Sequence, residues 1–241
     1  MLEEKIRAIA QPTQVVILPE MFSTGFSMQP ERFAEPMNGP TVQWMKKISA
    51  LKKSILTGSL MIEDAGRYYN RAVWMQPNGH WGCYNKRHLF AYAGEDQHYT
   101  AGQQRFVASV NGWRIALFVC YDLRFPVWNR QQFNEQNTFE YDVAVYVANW
   151  PARRSLAWKA LLQARAIENQ CYVIGVNRVG EDGNGIAHRG DSMVIDPLGE
   201  IVYHKPDVED IGTITLHKEL LERIREGFPF WRDADAFQIE A

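Results

Sequence analysis

Residues 113–126 read WRIALFVCYDLRFP, and this stretch decides the fold. Its first seven residues are mostly apolar, which predicts a strand buried within a layered α/β protein. Polar residues follow at once, and Pro126 then stands where helices commonly begin. The stretch therefore predicts a strand that ends in a sharp turn leading to a helix, with Cys120 at the turn.

Apolar runs of the same kind recur along the chain. Further candidate strands lie at residues 15–18, 54–60, 71–75, 143–147, 172–176 and 193–195. Helical patterns between them cover residues 41–51, 126–132 and 156–169. The pairs Asn78-Gly79 and Leu198-Gly199 are typical of tight turns between hairpin strands. This alternation predicts an α/β fold with a mixed sheet, and we expect two sheets with helices outside.

Composition restricts the class of protein. The chain has 241 residues, 46% of them hydrophobic, which suits a single domain over residues 1–241 with a substantial core. A formal net charge of −2 gives no long-range attraction to nucleic acid or anionic membranes, so a small molecule is the expected partner. No apolar run approaches the roughly 20 residues that span a bilayer, and residues 1–10 lack a signal-peptide core. We expect a cytoplasmic protein.

The three cysteines, Cys83, Cys120 and Cys171, are widely spaced and form no CxxC pair. A disulfide framework or a structural zinc site is therefore not expected. Cys171 lies in an apolar run and is typical of a small buried hydrophobe. At Cys120, backbone N–H groups and a helix N-terminus could lower the thiol pKa and bind an oxyanion. Position alone leaves two alternatives open, a catalytic thiol and a buried structural one.

Two charged residues also follow strand-like runs. Glu20 comes directly after the apolar run that starts at Val15, and a charged residue there suggests a partner or a function because charges are seldom buried unpaired. The alternative is a helix cap or a loop salt bridge. Lys86 follows the strand-like residues 81–84, and by itself it would be a solvated loop lysine.

Three segments together resemble the Glu, Lys and Cys motifs of the nitrilase, or carbon–nitrogen hydrolase, superfamily. They are PEMF at 19–22, NKRHLF at 85–90 and VCYDLRFP at 119–126, in the order and at the spacing of that family. The likeness covers nearly the whole chain and is closest to the bacterial omega-amidase branch. It implies an α/β fold built as a four-layer α-β-β-α sandwich.

Position by position, the resemblance implies that Cys120 is the nucleophile, Glu20 the general base and Lys86 the cation that stabilises the tetrahedral intermediate. Thioester formation and hydrolysis would then split amide cleavage into two easier steps. Glu95 matches the second glutamate of the family and would position Lys86. Because the loop alignment could slip, Asp96 or a merely solvated carboxylate stays an alternative. No metal or organic cofactor is implied.

The residues after the nucleophile bear on the substrate. Cys-Tyr-Asp-Leu-Arg resembles the omega-amidase branch, whereas true nitrilases tend to have Cys-Trp-Glu, so amides are favoured over nitriles. Arg124 could bind a substrate carboxylate through a bidentate pair, which would favour short monoamides such as 2-oxoglutaramate or 2-oxosuccinamate. It could equally pair with Asp122 or Asp191 and be structural. Candidate pocket walls, which are as often core residues, are Tyr121, Asn149 and Trp150.

Other functions stay open at this point. The enzyme could be an amidase or nitrilase of other small substrates, or a papain-like Cys–His hydrolase with His88, His98 or His188 as base. It could also be a non-catalytic binding protein that has kept the fold, although the intact Glu, Lys and Cys motifs argue against this.

The start of the chain departs from the family. Its members normally begin with a β-strand and a longer helix, whereas only residues 1–9 precede the Val15 run. The resemblance therefore implies that the first strand is missing here, which would leave a sheet edge uncovered. It also implies a homodimer or higher homo-oligomer, because the family usually assembles in this way.

Overall fold

The computed structural model describes residues 2–133 and 138–239, and its strands form two sheets. The smaller sheet contains β1 (Val15–Ile17), β2 (Ile55–Asp64), β3 (Arg67–Met75) and β4 (Trp81–Asn85) in that spatial order. β1 runs parallel to β2, and the other neighbours are antiparallel. The turn predicted at Asn78-Gly79 joins β3 to β4, as expected.

The larger sheet has the spatial order β11-β10-β8-β7-β6-β5, and β9 pairs with β10. Its strands are β5 (Val107–Val110), β6 (Trp113–Val119), β7 (Val143–Ala148), β8 (Tyr172–Asn177), β9 (Val179–Glu181), β10 (Ala187–Ile195) and β11 (Ile201–Pro206). β6, β7 and β8 are parallel neighbours, so their carboxyl ends lie at one edge of the sheet. All six residues of β7 are buried, because both faces of this strand are covered. The expectation of two mixed sheets is confirmed.

Seven α-helices occur in the described residues. They are α1 (Leu2–Ala8), α2 (Pro30–Phe33), α3 (Pro40–Lys52), α4 (Glu95–His98), α5 (Pro126–Asn129), α6 (Ser155–Asn169) and α7 (Lys218–Gly227). None of these is long and apolar enough to traverse a membrane. The helix predicted over 126–132 is shorter than expected, because the Asn129 side chain donates to the carbonyls of Asp122 and Phe125 and the chain is extended at Arg130.

Core packing stacks these elements in four layers. Val42, Met45 and Ile48 of α3 share a core with the outer face of β2. The other face of the smaller sheet, including Trp74, packs in one core with the larger sheet. On the far side α6 crosses β8 so closely at Gly175 that a Cβ there would come within 2.5 Å of a side chain of α6. The α-β-β-α sandwich is thereby confirmed.

The edge strand β1 borders a large cavity. Among the described residues, α1 is the only regular element before β1, so the first strand expected from the family is absent from residues 2–14. Val15 and Ile17 face the larger sheet, and a cavity of about 1680 Å³ lies beside them, bounded on another side by residues 211–216. This cavity extends to Glu20.

Candidate active site

The predicted turn is present after β6, and Cys120 stands at its start. Its backbone φ of 46° lies in the left-handed region, which residues other than glycine rarely adopt. A short 3₁₀ turn, Cys120–Arg124, then leads to α5. Because β6 ends at the carboxyl edge of the parallel strands, the thiol lies at the rim of the larger sheet.

A buried carboxylate, Asp122, holds the turn in place. It accepts hydrogen bonds from the Val119 N–H at 3.0 Å, the His88 N–H at 2.9 Å and the Tyr84 hydroxyl at 2.8 Å. These bonds connect the turn to the loop that follows β4. Sequence reasoning considered Asp122 only as a partner for Arg124, although a fully buried aspartate beside a strand end requires several donors.

Three charged side chains form a buried cluster beside this turn. The Lys86 Nζ lies 3.0 Å from the Glu20 carboxylate and 2.8 and 3.1 Å from the two oxygens of Glu95. All three residues are at most 1% exposed. Glu20 follows β1, Lys86 follows β4 and Glu95 is the first residue of α4. The segments that follow both edge strands of the smaller sheet therefore contribute to the cluster. Two carboxylates around one ammonium leave the cluster with a formal charge of −1, unless a proton is bound.

Neutral N–H groups also donate hydrogen bonds to the carboxylates of Glu20 and Glu95. The Asn70 Nδ2 donates to Glu20 at 2.8 Å and to Glu95 at 3.1 Å. The Asn149 N–H donates to Glu20 at 2.8 Å, and the Phe90 N–H donates to Glu95 at 2.6 Å. Sequence reasoning missed Asn70; an asparagine inside the apolar part of β3 was the available signal, because asparagine is depleted from buried strands.

The cluster acts electrostatically on the nucleophile candidate. Cys120 is partly exposed, yet the pKa of its thiol is raised well above the ordinary value, chiefly by burial and then by the charge of Glu20. The positive charge of Lys86 acts in the opposite direction and lowers this pKa. Burial lowers the pKa of Lys86, but the two carboxylates outweigh it and raise that pKa, so the lysine is cationic. The thiol is therefore protonated at neutral pH, with a carboxylate in place to accept its proton.

Comparison with known proteins decides the family. A model of the carbon-nitrogen hydrolase family matches residues 1–226. The chain belongs to this family. It is 46% identical over 227 residues to Omega-amidase YafV of Escherichia coli (strain K12), covering 93% of this chain and 86% of that protein. It is 30% identical over 223 residues to 2-oxoglutaramate amidase of Bacillus subtilis (strain 168), covering 91% and 84%.

A solved structure agrees with the assignment. The crystal structure of XC1258 from Xanthomonas campestris, a CN-hydrolase superfamily protein with an arsenic adduct in its active site, superimposes with a TM-score of 0.97 at 41% identity. The match covers 99% of this chain and 91% of that one. These relatives establish an amide-hydrolysing carbon-nitrogen hydrolase, and the resemblance found in the sequence is confirmed.

In this carbon-nitrogen hydrolase, aromatic rings lie beside the turn that begins at Cys120. The Tyr121 ring lies edge-on to Phe90, with centroids 5.0 Å apart. The Arg124 guanidinium lies 4.9 Å from the centre of the Trp150 ring. Trp150 is 3% exposed and Asn149 is 8% exposed, and Asn149 also donates its side-chain N–H to the backbone of Glu20.

Neither aspartate suggested as a partner of Arg124 contacts it. Asp122 is bound as described above, and Asp191 accepts from Ser155 at 2.5 Å and contacts the His204 ring at 2.8 Å. Within residues 2–133 and 138–239, Arg124 makes no ion pair. The suggested ion pairs with Asp122 and Asp191 are therefore not formed, and the Arg124 guanidinium packs on the Trp150 ring instead.

The three candidate histidine bases of this hydrolase lie in different surroundings. His88 stacks on Phe125 with centroids 3.8 Å apart, and its Nδ1 lies 2.9 Å from Asp122. His98 is exposed on α4, and His188 is buried in β10. The charged groups with the largest effects on the Cys120 thiol are Glu20, Lys86 and Glu95. These charges favour a Cys–Glu pair over a Cys–His pair.

Proposed function

We propose that this carbon-nitrogen hydrolase cleaves the terminal amide of small ω-amides that carry a carboxylate, of the 2-oxoglutaramate or 2-oxosuccinamate type, and releases ammonia. The observation that carries the proposal is the Cys120 thiol at the end of β6, whose pKa the neighbouring Glu20 carboxylate raises, together with the buried Lys86 ammonium 3.0 Å from Glu20. The named activities of the relatives in Escherichia coli and Bacillus subtilis support the substrate class.

In the first half-reaction, the Cys120 sulfur bonds to the amide carbon while Glu20 takes the thiol proton. The carbonyl oxygen becomes an oxyanion, which Lys86 and the backbone N–H of Tyr121 stabilise. The carbon–nitrogen bond then breaks, Glu20 returns the proton to nitrogen, and ammonia leaves a thioester on Cys120. Losing one oxyanion donor in such a site typically raises the barrier by about 3 kcal/mol.

In the second half-reaction, water replaces ammonia. Glu20 takes a proton from water as the oxygen bonds to the thioester carbon, and the same two donors stabilise the second oxyanion. The carbon–sulfur bond breaks, the sulfur recovers the proton from Glu20, and a carboxylic acid leaves. One carboxylate thus acts as base and acid in each half-reaction.

Glu95 and Asn70 act through their neighbours in this proposal. Glu95 contacts the Lys86 ammonium with both oxygens, and Asn70 spans the two glutamates. With these contacts the ammonium and the base keep a fixed separation before the substrate arrives. Such positioning is effective because misplacement by about 1 Å can cost 100-fold in rate.

The test is ammonia release from ω-amides, nitriles and N-carbamoyl compounds by wild type, Cys120→Ala and the matched control Cys83→Ala. Cys83 is a partly exposed thiol on β4. We expect turnover of carboxylate-bearing ω-amides by wild type and by Cys83→Ala, and no turnover by Cys120→Ala. Activity that survives Cys120→Ala would overturn the mechanism, and preference for nitriles or for other small amides would overturn the substrate class.

A second set of variants separates the base from the rival histidines. We expect Glu20→Gln to abolish turnover, and separate substitutions of His88, His98 and His188 to leave it measurable. The opposite pattern would establish the Cys–His hydrolase. A mass increase on Cys120 for the trapped acyl group would exclude a purely binding role. Oligomeric state and compartment stay predictions, namely a homodimer or higher homo-oligomer in the cytoplasm.

A further inference from the structure

A second arginine, Arg154, lies near the mouth of the site. It ends the short 3₁₀ turn Ala152–Arg154 that follows Trp150, and its guanidinium lies 5.2 Å from the centre of the Phe90 ring. It is partly buried, and among the described residues it makes no ion pair with a carboxylate. An arginine in this state keeps its hydrogen-bond donors available for a ligand.

Two aromatic residues connect Arg154 to the catalytic groups. Phe90, under the Arg154 guanidinium, donates its backbone N–H to Glu95 at 2.6 Å. Trp150, under the Arg124 guanidinium, donates its indole N–H to the Arg154 carbonyl at 2.8 Å. Both guanidinium groups are therefore held on ring faces beside the nucleophile turn, where stacking restricts their motion.

Two sets of charges act near Cys120. The first is the buried Glu20, Lys86 and Glu95 cluster, whose two carboxylates and one ammonium give a formal charge of −1. The second is the pair of guanidinium groups of Arg154 and Arg124; the pKa of Arg154 is lowered, first by burial and then by Arg153 and Arg124, whereas Cys120 raises it. The free carboxylate of a substrate would be repelled by the first set and attracted by the second.

We propose that Arg154 and Arg124 together bind the free carboxylate of the substrate and so direct the amide, at the other end, to Cys120. The inference rests on the proposed function and adds Arg154 as a residue that determines specificity. Two guanidinium groups match the two oxygens of a carboxylate and can each donate to it. A neutral amide of equal length has no group for this site and should gain nothing from it.

The test compares succinamate, an ω-amide with a carboxylate, with butanamide, a neutral amide of the same chain length. Arg154→Gln should lower kcat/KM for succinamate by about 10- to 100-fold, the range of a charge-assisted hydrogen bond, mainly through KM. Its kcat/KM for butanamide should be unchanged. Arg154→Lys should recover part of the loss. Arg153→Gln, at the adjacent exposed residue, is the matched control, and its kcat/KM should match wild type for both substrates.

Equal losses on both substrates would show a structural role and overturn the proposal, as would an unaltered kcat/KM for succinamate. A binding measurement keeps this outcome separate from failure of the proposed function. In Cys120→Ala, titration with succinamate should give a dissociation constant that rises at least about tenfold when Arg154→Gln is added. Wild type without amidase activity would refute the function, whereas a dissociation constant insensitive to Arg154→Gln would refute only this site.

Discussion

Glu95→Gln is the most informative substitution in the buried cluster, because every group that contacts this carboxylate is a donor. One oxygen accepts from Phe90 at 2.6 Å and Lys86 at 2.8 Å, and the other accepts from Lys86 and Asn70, both at 3.1 Å. A glutamine must place its NH2 group against one of these two pairs of donors. The isosteric change therefore places the N–H groups of the new amide against other N–H donors inside the protein.

The energetic cost follows from the hydrogen bonds that glutamine cannot accept. The less costly orientation of the amide gives up the two bonds at 3.1 Å and keeps the two shorter ones. Each donor left without its acceptor costs about 1–3 kcal/mol, so unfolding free energy should fall by about 2–6 kcal/mol. Because the Lys86 ammonium keeps only one of its two hydrogen bonds to residue 95, we also expect kcat to fall by about 100-fold.

Urea denaturation and steady-state kinetics of Glu95→Gln measure both effects. Asp96→Asn is the matched control, since Asp96 is the next residue and is exposed, and it should lie within about 0.5 kcal/mol of wild type. If Asp96→Asn lost activity while Glu95→Gln did not, the assignment of the second glutamate would be wrong. A Glu95→Gln variant as stable as wild type would refute the hydrogen-bond reasoning.

The same variant should alter the pH dependence of stability. Burial, followed by the charge of Glu20, raises the pKa of Glu95 above its ordinary value of 4.5, although Lys86 opposes this. A carboxyl group with a raised native pKa contributes most to stability below its unfolded pKa, and the contribution is lost as pH rises through the native pKa. Glu95→Gln should remove this loss, so its unfolding free energy should depend less on pH above 4.5 than that of wild type.

Further predictions concern the thiol, the remote ion pairs and the packing of α6. Because the charge of Glu20 raises the pKa of the Cys120 thiol, Glu20→Gln should shift iodoacetamide alkylation of this thiol to lower pH while amidase turnover is lost; an unshifted alkylation profile would contradict this. Asp142→Asn leaves the buried Arg225 guanidinium, now 2.8 Å from Asp142, without its charge partner, and should cost about 3–5 kcal/mol in urea denaturation with little change in kcat. Gly175→Ala forces a Cβ into α6 and should cost about 1–3 kcal/mol, and an unchanged urea midpoint would refute the close approach.

The sequence carried enough information for the layers and the principal charged residues. Apolar runs predicted the strands because strands covered on both faces need apolar residues throughout, as β7 shows. Glu20, Lys86 and Cys120 follow such strands, and the resemblance matched all three to motifs that occur in the same order in the family. The structure then placed them together, with Glu95 in contact with Lys86 rather than solvated.

Interactions that depend on strand pairing could not be derived in this way. Asn70 reaches both glutamates only because β3 pairs antiparallel with β4, which brings its carbonyl to the Lys86 N–H at 2.9 Å. Arg154 comes to Phe90 from more than sixty positions away along the chain, so no local pattern predicts it. Register and loop packing, which are long-range properties, decide both cases.

The left-handed backbone at Cys120 has an evolutionary consequence. Glycine adopts this conformation without strain, whereas a residue with a Cβ gives up about 1–2 kcal/mol there. Under the proposed mechanism, the reactivity of the thiol compensates for this cost. If the proposed mechanism holds, a descendant that no longer needs turnover would gain stability by replacing this cysteine with glycine.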